Sequence, residues 1–168
     1  MSRPVFPKRH YRRFSELRRD VLAISVERRR ARTLGSGGAV GVAFKERLML
    51  AVTQVNGCRY CAYAHAKVAL AAGVSQAEVR ALAEASYAGA PADEVPALLY
   101  AQHWAETDAV PDPETRRAVL AVYGEEKLAA IELALQTIRI GNLLGNTADY
   151  ALYRASAGRW GAGRRGRR

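Results

Sequence analysis

The stretch NGCRYCAYAHAKVALAAG, residues 56–73, decides how this chain is read. It opens on Asn56-Gly57, a pair that ends helices, because glycine just past a helix end accepts the left-handed backbone conformation. It closes on Gly73. Between the two glycines nothing alternates as a strand would, and the segment is expected to be a helix over 57–72. It holds both cysteines of the chain and one of its three histidines. On a helix, Cys58 and Cys61 lie one turn apart, with Cα atoms roughly 5 Å from each other, inside the range a disulfide spans. His65 follows Cys61 by four residues and shares its face. Cys58 falls in the first turn, where free backbone N–H groups and the helix dipole favour a thiolate. Two thiols able to bridge, an imidazole and a helix N-terminus are the parts of a reversible dithiol–disulfide site.

Outward from this segment the pattern stays helical. Residues 42–55 carry an apolar stripe of Phe44, Leu48, Ala51, Val52 and Val55. Residues 12–32 read as a basic amphipathic helix with Phe14, Leu17, Val21 and Ile24 on one side. Ser75 and Glu78 have capping-box spacing and open a helix through about Tyr87. Another helix is expected over 94–107, a short one after Asp112-Pro113 (N-cap and N1), and a long one over 125–153, interrupted in pattern by Gly141 and Gly145. The fold class is therefore all-α: a single-domain bundle of about six to seven helices with short connections. The expected organisation is a basic arm with its helix (1–36), a helical domain (37–153) and a disordered Gly/Arg tail (154–168).

Glu46 precedes Cys58 by twelve residues. On one continuous helix it would stand ~18 Å away. A hairpin at Asn56-Gly57 changes that, because a residue about eleven before the bend then faces one about eleven after it. Glu46 is expected beside the His65 turn, where a carboxylate orients an imidazole.

The net charge of +10 suggests a nucleic-acid binder until it is divided along the chain. Residues 1–32 hold eleven Lys/Arg against Glu16, Asp20 and Glu27, which is +8; residues 154–168 hold six Arg, which is +6; the body between is −4. The basicity belongs to the ends. These lack groove-reading motifs, and their aromatic residues are few, so solvated or packed arms are expected rather than a nucleic-acid interface. No run approaches a membrane span and the start lacks the apolar core of a secretory signal, so a cytoplasmic protein without a membrane partner is expected.

Other readings of the thiols stay open on residue chemistry alone. Zinc would want four ligands; the chain offers Cys58, Cys61, His65, His103, His10 and carboxylates, and such a site would have to recruit His103 from another helix. Two inert buried thiols are the plain alternative. Haem attachment is excluded, because Ala62 rather than histidine follows Cys61. His103 and Trp104 could line a pocket or pack in the core. Asn142 and Asn146, four apart on the last helix, could satisfy a broken helix end or cross a subunit interface.

Written together, the spacing Glu46-x11-Cys58-x-Tyr60-Cys61-x3-His65 resembles the core motif of the alkylhydroperoxidase D-like families within the carboxymuconolactone decarboxylase superfamily. The flanking text ERLMLAVTQVNGCRYCAYAHAKVALAAGVSQAEVRAL (46–82) is similar to the motif helices of that family and the turn and helix that follow, and the likeness extends over most of residues 40–150. The resemblance implies an all-α fold, homo-oligomers (trimers or hexamers), and a two-cysteine peroxidase cycle with no haem, metal or flavin cofactor. Carried to this chain, it implies that Cys61 attacks the peroxide and becomes a sulfenic acid. Cys58 then closes the disulfide, and a dithiol donor of lipoyl or thioredoxin type reduces the pair. His65 and Glu46 relay the proton. Helix-terminus logic alone would instead make Cys58 the more acidic thiol. The peroxidase-type members carry histidine at the position of Tyr60, a poorer proton acceptor near neutrality; a shorter relay is the consequence, and a dithiol redox sensor that does not turn over, or a disulfide oxidoreductase, is the corresponding alternative.

Overall fold

The computed structural model describes residues 5–162. Among them are six α-helices: α1 (Phe14–Thr33), α2 (Val42–Asn56), α3 (Arg59–Ala71), α4 (Gln76–Ala83), α5 (Val95–Glu106) and α6 (Pro113–Ala155), with a short 3-10 turn at Ser36–Gly38. No strand occurs among these residues. The all-α bundle expected from the sequence is the observed architecture.

The centre of the bundle is α2, which packs against α3, α4, α5 and α6. Its expected stripe of Phe44, Leu48, Ala51 and Val52 is buried, and so are Met49 and Leu50 on the flanking faces. A helix apolar on most sides belongs in the middle of a core. Leu98 and Ala101 of α5 and Leu128, Ile131 and Leu135 of α6 complete that core, all sealed from solvent. Each of these leucine and isoleucine side chains contributes about 1.5–3 kcal/mol by leaving water.

The bend after α2 follows from one residue. Gly57 has φ 70° and ψ 28°, and its N–H donates to the Thr53 carbonyl at 2.8 Å. A residue with a Cβ would cost roughly 1–2 kcal/mol in this left-handed conformation. Cys58 is then the N-cap of α3, its sulfur accepting from the Cys61 backbone N–H at 3.4 Å. The chain reverses here, and α3 lies against α2.

Elsewhere the local signals were read in part. Ser75 caps α4 through the Glu78 N–H at 3.2 Å, but the Glu78 carboxylate turns away from the cap to the buried Arg47 guanidinium, which also binds Glu94. The expected box is half a box, because a buried cation on α2 outbids the cap. Helix α4 stops at Ala83, short of Tyr87, where Ala85 takes φ 55°. Asp112 caps α6 by accepting from the Thr115 N–H at 2.8 Å. The two expected last helices form one rod with a break at Gly124, whose φ of 72° and ψ of 169° are not helical. Gly141 and Gly145 do not interrupt it.

Helix α1 departs most from its pattern. Phe14 is 80% exposed and Val21 46%. The helix docks on α6 through charge instead. Asp20, buried on α1, accepts from Arg139 Nε at 2.9 Å and from the Tyr11 hydroxyl at 2.9 Å. Arg30 reaches Glu132 at 2.5 Å and Glu125 at 2.6 Å.

The segment before α1 is tied down as well. The Arg9 carbonyl accepts from Asn146 at 2.8 Å, and the Tyr11 N–H donates to Thr147 at 3.1 Å. Phe6 is buried among His10, Tyr150 and Tyr153. After α6 the chain turns back so that Gly161, with φ 85°, sits where a Cβ would overlap the Asp149 carbonyl oxygen. The remainder of the expected Gly/Arg tail, residues 163–168, lies outside the described residues.

Candidate active site

The hairpin α2–α3 brings the motif residues together. The Sγ atoms of Cys58 and Cys61 lie 2.8 Å apart, and both cysteines are free thiols. Across the bend, Glu46 Oε2 stands 2.6 Å from His65 Nδ1. Glu46 is buried at 3% exposure, whereas the imidazole is 24% exposed. The carboxylate fixes the ring through Nδ1, which leaves Nε2 for proton exchange.

The two sulfurs are unequal. Cys58 is buried and Cys61 partly open. The Cys58 thiol is pulled down to about 6, first because Cys61 donates its S–H to that sulfur. Burial opposes the shift, and backbone N–H groups of Cys61 and Tyr60 and the charge of Lys8 support it. The Cys61 thiol is pushed up, first because its proton is held on Cys58 and then by burial, with a hydrogen bond from Asn142 acting the other way. The hydrogen bond between the sulfurs therefore favours the thiolate at Cys58 and the thiol at Cys61.

Tyr60 sits apart from the imidazole. Its hydroxyl donates to Asp149 Oδ1 at 3.0 Å and receives the Arg59 guanidinium at 2.8 Å. It is thus engaged on the Cys58 side of the hairpin and not with the Glu46–His65 pair. His103 is on α5 and pairs with Asp112 at 2.8 Å, and His10 stacks on Tyr150 with ring centroids 4.2 Å apart. Neither joins the thiols. Among the described residues no group of three or more His, Cys, Asp or Glu side chains is placed to hold a metal ion.

The seat of the sulfurs is on α6, and sequence reasoning missed it. A Cβ on Gly145 would stand 2.7 Å from Cys58 Sγ and 3.4 Å from the Tyr60 ring; one on Gly141 would stand 3.8 Å from Cys61 Sγ. The two glycines are one turn apart and let the rod pass directly over the thiol pair. Beside them, the Asn142 amide donates to Thr53 at 3.0 Å and accepts from Asn56 at 3.2 Å. Asn146 donates to the Asn56 carbonyl at 2.7 Å. Asn146 thus satisfies a carbonyl of the last turn of α2, which has no partner within the helix, while Asn142 ties down the Thr53 and Asn56 side chains of the same turn. The signal was present as a repeated Gly-Asn pair at a spacing of four, in residues 141–142 and 145–146.

Comparison with protein-family models gives a match to the carboxymuconolactone decarboxylase family over residues 22–107. The chain belongs to this family. The matched stretch holds Glu46, Cys58, Tyr60, Cys61 and His65, so the hairpin is the carboxymuconolactone decarboxylase family's own segment; the glycine seat on α6 lies beyond it. No curated protein and no solved structure gives a significant match to this family member.

Proposed function

We propose that this protein is a two-cysteine thiol peroxidase of the alkylhydroperoxidase D-like type, reducing hydrogen peroxide or organic hydroperoxides. The observation that carries the proposal is the pair of free sulfurs 2.8 Å apart at the bend, in the same hairpin as the 2.6 Å Glu46–His65 contact.

The chemistry follows from the shared proton. Passing it from Cys61 to Cys58 leaves the more open sulfur anionic. That sulfur attacks the peroxide: an S–O bond forms, the O–O bond breaks, and the leaving alkoxide or hydroxide takes a proton from His65, which Glu46 holds in orientation and which regains the proton from solvent. Cys61 is now a sulfenic acid. Cys58 displaces its hydroxyl, which leaves as water, and the disulfide closes. Two thiols have been oxidised and one peroxide reduced to an alcohol and water. A dithiol donor of lipoyl or thioredoxin type then restores the pair by exchange. No haem, metal or flavin is required, and Tyr60 acts by holding the Cys58 end of α3 through Asp149.

A homo-oligomer, trimer or hexamer, in the cytoplasm completes the reading. It is supported by apolar side chains left facing solvent on α3, namely Tyr63 at 65% and Val68 and Leu70 at 44% each. No helix of the described residues is long and apolar enough to cross a membrane.

Stopped-flow oxidation of the reduced protein tests the proposal. Peroxide consumption well above that of free cysteine, lost in Cys61→Ser and arrested at a trapped sulfenic acid in Cys58→Ser, is expected. A rate no greater than free cysteine would remove it. One observation favours a second reading, a dithiol sensor: the Tyr60 hydroxyl is bound to Asp149 and adds nothing to the relay. A single oxidation by one equivalent of peroxide, without multiple turnover when a dithiol donor is supplied, would select it.

A further inference from the structure

The segment before α1 lays a lysine against the bend that carries Cys58. The stem of Lys8 lies against the bend, with Cγ 3.8 Å from where a Gly57 Cβ would be, one residue from Cys58. Its ammonium reaches Asp149 Oδ2 at 2.7 Å. The other carboxylate oxygen, Oδ1, takes the Arg59 guanidinium at 2.7 Å and the Tyr60 hydroxyl at 3.0 Å. Asp149 is sealed from solvent and Lys8 nearly so, with side chains 0% and 10% exposed. Two cations thus share one buried carboxylate, and the cluster carries a net positive charge next to the N-cap of α3. It is built rather than incidental: Arg9 donates to the Ala105 and Glu106 carbonyls, and Asn146 holds the Arg9 carbonyl.

We propose that Lys8 and Arg59, joined through Asp149, are positioning residues that hold the Cys58 sulfur in its anionic form and so set which thiol of the pair carries the charge. This deepens the peroxidase reading and rests on it. The titratable groups joined to Cys58 or to Asp149 come from three elements. The leading segment contributes Lys8; α3 contributes Arg59, Tyr60 and Cys61; α6 contributes Asp149. On α2, Glu46 is already engaged with His65. Only Lys8 and Arg59 are cations in that set. A positive charge nearby favours the charged form of a thiol. Removing either cation leaves the Asp149 charge less balanced and moves the sulfur toward its neutral form.

The test reads ionisation, not turnover. Full-length reduced protein is alkylated with iodoacetamide across pH 4–9, and the Cys58 peptide is quantified by mass spectrometry. Lys8→Met keeps the stem and removes the charge; it is expected to raise the midpoint by roughly half a unit to one unit. Lys8→Arg is expected to return it to the wild-type value. Arg59 is half exposed, so Arg59→Met is a variant with little burden on folding, and a smaller rise in the same direction is expected. A normal wild-type profile that neither Lys8→Met nor Arg59→Met displaces would overturn the proposal and leave the peroxidase reading standing. A wild-type Cys58 that does not ionise below about pH 8 would also overturn the proposal, and the peroxide rate of the same preparation, compared with free cysteine, shows whether the peroxidase reading falls with it.

Discussion

Glu46 and His65, nineteen residues apart in sequence, meet at 2.6 Å because Gly57 turns the chain between them. The contact ties a buried acid on α2 to a partly open base on α3. Glu46→Gln keeps the shape but removes the anion that orients the ring. Peroxide turnover is expected to fall by about ten- to a hundredfold, at or below the lower end of a full proton-transfer contribution because the imidazole itself remains, with the far-ultraviolet circular dichroism unchanged. Stopped-flow kinetics beside a melting curve checks both.

The resting charge on Cys58 makes a pH prediction. A thiolate is present above its pKa and absent below it, so alkylation of Cys58 is expected to rise through pH 6 and level off above pH 7. Cys61→Ala deletes the donor that is the first cause of the low value, and the rise is then expected to move to higher pH. A profile that stays at pH 6 in that variant would show that the Cys61 proton does not set it.

The helical framework, the bend and the meeting of Glu46 with His65 were legible because each follows from local spacing. An apolar stripe of period 3.6 fixes α2, Gly57 fixes the reversal, and counting residues on either side of it gives the pairing. What escaped was carried by partners distant in sequence. Nothing near Phe14 says that α1 docks by Asp20 and Arg30 rather than by its apolar side, since Arg139 and Glu132 lie more than a hundred residues away. Lys8 reads as one more arm cation until Asp149 is placed beside it. Gly141 and Gly145 read as helix weaknesses until the sulfurs are known to rest on them.

Those two glycines give opposite expectations for one substitution. A Cβ on Gly145 meets Cys58 Sγ at 2.7 Å, so Gly145→Ala must displace the sulfur or the helix and is expected to destabilise by about 1–3 kcal/mol. Gly141→Ala places its methyl 3.8 Å from Cys61 Sγ, an ordinary contact, and gains up to about 1 kcal/mol of helix propensity. Denaturant midpoints of the two variants, compared side by side, decide this. Equal midpoints would mean that the sulfur moves freely.

Acid is expected to loosen α1 from α6 through Glu132. Burial opposes its charge, but hydrogen bonds from Arg116, Tyr100 and Arg30 outweigh burial and hold its carboxyl below the usual glutamate range. A depressed folded-state value contributes stability above the unfolded value, near pH 4.3, which is lost as pH falls through the folded value. Glu132→Gln should therefore lower the melting temperature at pH 7 and narrow the gap to wild type below pH 4. Melting curves across pH 3–7 measure it.

Lys8 and Gly161 both rest on Asp149: the ammonium binds its carboxylate and reaches the Gly161 carbonyl at 3.4 Å. The two ends of the described chain thus meet behind the thiol pair. Removing Lys8 or Gly161 takes a contact from that carboxylate or its cation, so both described ends are part of the wall behind the sulfurs.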